Sequence, residues 1–250
     1  LFGALAWILT IATVMSHASY VWASANLPMR DDTFAHLDAA LGVDARTITQ
    51  GTGVYGWFAT ASLVAYCKTA YQMFLAFGVL MYCRQHERLA DTFSILAIGG
   101  VATLVLSTLF PAADAFDYYR FTENDLGKLN GTGVGVWHLE HLNALRSGVM
   151  RTFPTTDWQG LVTFPSFHTI YALSGGYALA TNRWLAWPSA IFSGFVLFTT
   201  IPIGGHYFID VVGGVAIFVA SVWYVEGRRR QASGAGEPVS ARRQPALAAV

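Results

Sequence analysis

Two histidines and one aspartate hold most of the chemical information in this chain. His206 and Asp210 stand four residues apart, the spacing that places two side chains on one face of a helix. A carboxylate so placed accepts the imidazole N–H, orients the ring and stabilises its cation, which makes a histidine a competent nucleophile or base. His168 lies 38 residues before His206. One helix of about 20 residues crosses the apolar core of a bilayer and a second returns, so this separation brings both histidines to the same membrane face. Ser166, two residues before His168, is a helix cap by type. A helix N-terminus also receives anions, and a serine hydroxyl adds a donor there. One histidine alone can merely satisfy a polar need in a bundle, but a His/Asp pair with a second histidine at one mouth points to a functional site, because ionisable groups at membrane depth are costly.

The elements that must hold these residues are transmembrane helices. The chain has 250 residues, of which 54% are hydrophobic and only 12% charged. Soluble domains carry about 25% charged residues, and the mean hydropathy here is +0.43. The fold class expected is therefore all-α, a polytopic membrane helix bundle of about six spans. They are drawn at 2–23, 66–83, 92–110, 162–181, 184–203 and 206–225. Residues 1–226 form the membrane domain, and 227–250, rich in Gly, Ser, Pro and Arg, read as a disordered tail. Residues 26–65 suggest a polar loop followed by an amphipathic surface piece, with Tyr55 and Trp57 at headgroup level. Leu1 to Val14 lack a charged lead-in and a small-residue cleavage pattern, and read as part of a first span rather than a signal sequence.

Basic residues set the orientation. Arg84, Arg88, Arg183 and Arg228 to Arg230 fall in short connections on one side, which is then cytoplasmic. The site faces outward, to the periplasm or exterior if the membrane is a bacterial inner membrane. Cys67 and Cys83 are sixteen residues apart on one expected helix, about 24 Å, too far for a disulfide. Net charge is zero, so no basic field points to nucleic acid.

Pro165-Ser166-Phe167-His168 followed by His206-x-x-x-Asp210 resembles the two C-terminal signature motifs of the type-2 phosphatidic acid phosphatase superfamily. The Gly-Gly-His-Tyr-x-x-Asp form, with Phe110-Pro111 closing the third span, is most similar to its inositol phosphorylceramide synthase branch. The resemblance implies that His206 attacks phosphorus and forms a phosphohistidine, that Asp210 assists it, and that His168 protonates the leaving alcohol. It implies no metal and no cofactor, with a lipid phosphate ester as substrate and a lipid or polyol alcohol as a possible acceptor.

The chain departs from the superfamily pattern in its basic residues. Thr200 stands where an arginine is usual, and the upstream Lys-x6-Arg-Pro motif is reduced to Leu139-x6-Arg146-Ser147. Arg146, with Arg151, is then expected to supply the positive charge that phosphoryl transfer demands. His138, Glu140 and His141 have a spacing that also admits a metal site, on weak grounds. Two other classes compete with the enzyme. A transporter would show matching halves and broken helices, and the sequence shows no repeat. A non-catalytic relative would explain the missing basic residues.

Overall fold

The computed structural model describes residues 2–154, 159–161 and 163–235. Among these residues the regular elements are all helices. A first helix, α1 (Phe2–Ala23), is followed by α2 (Asp31–Ala40), α3 (Ala45–Gly53), α4 (Gly56–Cys67), α5 (Thr69–Tyr82) and α6 (His86–Leu109). Next come the short α7 (Ala115–Tyr118) and α8 (Glu123–Leu126), a 3-10 turn, and α9 (Leu139–Arg146). The last three are α10 (Phe167–Leu179), α11 (Arg183–Gly204) and α12 (Phe208–Ala235).

Three helical stretches are long and apolar enough to cross a membrane singly: α6, α11 and Phe208–Ala232 of α12. A fourth is the α4–α5 pair, bent by 52° at Lys68. The protein is an integral membrane protein. The second span, expected to begin at residue 66, thus begins at Gly56, and the surface piece expected up to residue 65 contains its first half. The bend has a local cause: the Thr69 hydroxyl donates to the carbonyls of Ala65 (2.9 Å) and Tyr66 (2.8 Å), taking acceptors from the regular ladder.

The expected fourth span, 162–181, is only the 13-residue α10. At about 1.5 Å per residue it covers about 20 Å, short of the roughly 30 Å apolar thickness. Its start is set by the Ser166 cap, whose Oγ accepts from Thr169 N at 3.4 Å. α10 packs against α5, α6, α11 and α12, so the short helix lies inside the bundle.

At one end, charged side chains clasp the helices together. Arg88 of α6 donates to the Tyr177 carbonyl of α10 (Nη2, 2.6 Å), and Arg229 of α12 pairs with Asp91 of α6 at 2.8 Å. Arg230 pairs with Glu226 one turn earlier at 3.5 Å. These contacts extend α12 through 227–235, where a disordered tail was expected. The remainder of that tail, 236–250, lies outside the described residues.

At the opposite end, α2, α3 and α7 to α9 form a cap. α2 packs on α12 and α7, α3 on α4, α8 and α11, and α9 on α1. The cap is pinned to the end of α11 by backbone bonds, Ala115 N to Gly205 O (2.7 Å) and Gly135 N to Ile203 O (2.8 Å). This approach needs glycine: Gly205 ends α11 with φ +71°, and a Cβ on it would lie 2.8 Å from the Gly135 carbonyl oxygen.

Candidate active site

Gly205, His206 and Tyr207 form the hinge between α11 and α12. His206 therefore precedes α12, where the sequence suggested a position on its first turn. The Thr200 carbonyl takes the N–H groups of Gly205 and His206 (3.5 Å for the latter), which closes α11 and turns the chain. The expected pairing with Asp210 still forms: His206 Nδ1 lies 3.0 Å from Asp210 Oδ2. The same carboxylate oxygen accepts from Tyr207 N at 3.1 Å, so Asp210 reaches back to the start of its own helix like one half of a capping box. Asp210 is fully buried.

A second carboxylate completes that helix start. Asp38 of α2 accepts from Phe208 N (2.7 Å) and Ile209 N (2.9 Å). Negative charge at a helix N-terminus is favourable, and burial still holds the Asp38 pKa above the usual carboxylate range. Behind His206, the Tyr207 hydroxyl donates to Asp31 Oδ1 at 3.0 Å, while Asp31 also accepts from Ala113 N. Sequence reasoning found neither Asp31 nor Asp38. They lie about 170 residues from the site in sequence, in a segment read as loop.

The N-terminus of α10 meets that of α12. Ser166 N donates to the Asp210 carbonyl at 3.0 Å, and Ser166 is fully buried. It acts here as the cap and joint of two helices. One turn in, His168 stacks on Tyr66 of α4, ring centroids 4.1 Å apart and planes 20° apart. Tyr66 in turn stacks loosely on Trp137, at 6.4 Å. Tyr66 is a residue that no motif revealed, because one tyrosine in an apolar span has no signature. Gly204 makes room for it: a Cβ there would lie 2.8 Å from the Tyr66 hydroxyl and 2.7 Å from His206 Cδ2.

His168 and His206 both line one cavity of about 580 Å³. Its walls are largely apolar, with Met15, Leu104, Phe167 and Tyr171, and its polar groups include Thr163, Gln159 and His138. No lysine or arginine stands among the described residues that line it. Arg146 donates from Nη2 to the Leu27 carbonyl at 2.9 Å and lines a separate small cavity. Ser19 and Thr163 border both spaces and form the wall between them. Arg151 is exposed and turns back to the Gly148 carbonyl at 3.5 Å. The two arginines expected to hold phosphate are thus not brought to the histidines.

His138 and His141 do not face a common centre. His138 Nε2 bonds the Ala113 carbonyl at 2.8 Å, and His141 Nδ1 meets the Tyr20 hydroxyl at 2.6 Å. Among the described residues no three His, Cys, Asp or Glu side chains group as a metal site. Cys67 and Cys83 are free and exposed.

A buried His/Asp dyad and a second histidine thus share one cavity among the helices. A family model of the PAP2 superfamily matches residues 32–224. The chain belongs to the PAP2 superfamily. No curated protein and no solved structure matches it. The match takes in the cap from α2 onward as well as the α4 to α12 bundle, so Asp38 and Tyr66 fall within the family region along with the three motif residues. Membership supports an enzyme of the phosphatase or phosphotransferase type.

Proposed function

We propose that this protein transfers a phosphoryl or phospho-head-group from a lipid phosphate ester to an alcohol through a phosphohistidine at His206, in the manner of the inositol phosphorylceramide synthase-like branch. The observation that carries the reading is the His206–Asp210 bond at the wall of a cavity shared with His168. With Nδ1–H given to Asp210, His206 keeps its Nε2 lone pair for attack on phosphorus. A P–N bond forms as the P–O bond to the leaving group breaks, and His168 gives its proton to the departing oxygen. In the second half, the acceptor's hydroxyl loses its proton to His168, its oxygen attacks phosphorus, and the P–N bond breaks. No metal or cofactor takes part in these steps.

The apolar walls favour a transferase. Met15, Leu104, Phe167 and Tyr171 offer a lipid acceptor an environment it prefers to water, and burial of each methylene contributes about 0.8 kcal/mol. Hydrolysis of the same intermediate by water is the second reading, favoured by the phosphatase-type family itself. The site belongs at the non-cytoplasmic face, periplasmic if the membrane is a bacterial inner membrane. The arginine-clasped end is then cytoplasmic, because basic residues near the ends of spans stay inside.

Purified protein supplied with a phospholipid donor, with and without a lipid alcohol, separates the readings. A new phospho-lipid that forms only with the acceptor is the expected product. Release of free phosphate or phospho-head-group at the same rate without acceptor would overturn the transferase.

A further inference from the structure

The cavity poses a charge problem. Phosphoryl transfer spreads negative charge over three oxygens and needs positive charge or donors aimed at them. Among the described residues the cavity presents neither lysine nor arginine. It does present a third histidine, His138, which the steps above do not use.

We propose that His138 binds the phosphoryl group of the substrate through Nδ1–H, with Asp114 as the positioning carboxylate that offsets its charge. The inference rests on the lipid phosphate reading above and adds to it the missing phosphate contact.

The geometry fixes which nitrogen is available. Nε2 of His138 lies 2.8 Å from the Ala113 carbonyl, which can only accept, so Nε2 holds a proton and Nδ1 is left for a ligand. Behind the ring, Asp114 is fully buried. One of its oxygens accepts from Asp117 N at 2.6 Å. The other, Oδ2, has no hydrogen-bond partner among the described residues and lies 3.8 Å from His138 Nε2. A buried carboxylate oxygen left over in this way calls for an explanation. A histidine that becomes cationic when an anion enters the cavity supplies one.

The resting state fits the same scheme. Burial pushes the His138 pKa down and that of Asp114 up to about 8, so the pair is neutral in the absence of an anion. The other titratable groups around it are His206 on the cavity side, and Asp117 and Asp31 beside Asp114. A neutral pair avoids the cost of a lone cation in an apolar cavity. As the phosphate dianion binds, Nδ1 takes up one proton from solvent and Asp114 releases its own to solvent, so the proton count is unchanged and the Asp114 carboxylate then faces the imidazolium. The α10 N-terminus at Ser166 adds its dipole.

The test uses the full chain in detergent and inorganic phosphate as the probe, with binding read by calorimetry. His138→Gln places an amide N–H where Nε2 stands, so the bond to Ala113 survives, and removes Nδ1. It should weaken phosphate binding about 10- to 100-fold, the value of one charge-assisted bond, with the thermal midpoint retained. Unchanged affinity in this variant would overturn the proposal. If the same protein still forms phosphohistidine at His206, the enzymatic reading stands without it. Asp114→Asn gives an independent reading through the pH profile. Binding that needs the imidazolium is lost as pH rises, and loss of the counter-charge should move that decline to lower pH. Coincident profiles for Asp114→Asn and wild type would equally overturn it.

Discussion

At the residue scale, the three motif residues divide the work through geometry that differs in kind. His206 is held in one tautomer by Asp210 at 3.0 Å, whereas His168 is held by a stacked ring, with no carboxylate partner among the described residues. Removal of His206 should abolish turnover while the folded protein remains extractable; full activity of His206→Ala would contradict the nucleophile assignment. Tyr66→Leu keeps an apolar wall but removes the stacking surface, so kcat should fall about tenfold or more as His168 loses its orientation, with less effect on KM. Equal losses in both parameters would point to binding instead. The meeting of His206, Asp210 and His168 was legible in the sequence because their spacing has a direct physical meaning. Tyr66, Asp31 and Asp38 were not, since each reaches the site through a tertiary contact that spans many residues and no short pattern.

At the element scale, the site is a meeting of two helix starts. α10 begins at Ser166 and α12 at Phe208, and the Ser166 N–H to Asp210 carbonyl bond joins them. Asp38 caps α12 from outside the helix with two bonds. Asp38→Ala should therefore cost about 1–2 kcal/mol of stability, read as a lower thermal midpoint, and should also reduce activity because His206 hangs from that helix start. A midpoint equal to wild type would show that the cap is idle. Hydropathy located the crossing segments but not their interruptions. It has no means of seeing that Thr69 diverts two carbonyls at the α4–α5 bend, or that the Ser166 cap shortens the fourth span to 13 residues. Likewise hydropathy cannot see that Gly135 and Gly205 let the segment after α6 lie directly on the end of α11.

At the scale of the whole molecule, the bundle has a clasped end and an end that holds the candidate site. Arg88, Arg229 and Asp91 hold the first, and a layer of buried carboxylates supports the second. Those carboxylates give the protein a pH signature. Asp114 is pushed by burial from its ordinary 3.8 to about 8, so between these values the folded state binds more protons than the unfolded one. Its contribution is fully present below about pH 4 and is lost as pH rises through about 8. The thermal midpoint should fall from pH 6 to 9, and Asp114→Asn should flatten that slope; an unaltered slope would contradict the assignment. Orientation is open to test in intact cells. A cysteine placed at Thr47 in the cap should react with a membrane-impermeant maleimide while Cys83, at the clasped end, is shielded. The reverse pattern would invert the topology.

The central claim is that His206 bears the phosphorus during turnover. Brief exposure of the protein to candidate phospholipid donors, a rapid quench at alkaline pH where phosphohistidine survives, and peptide mass analysis address it directly. The expected result is a phosphate or phospho-head-group adduct on His206 that accumulates without acceptor and is absent in His206→Ala. Turnover with no adduct on His206, or with an adduct on another residue, would contradict it.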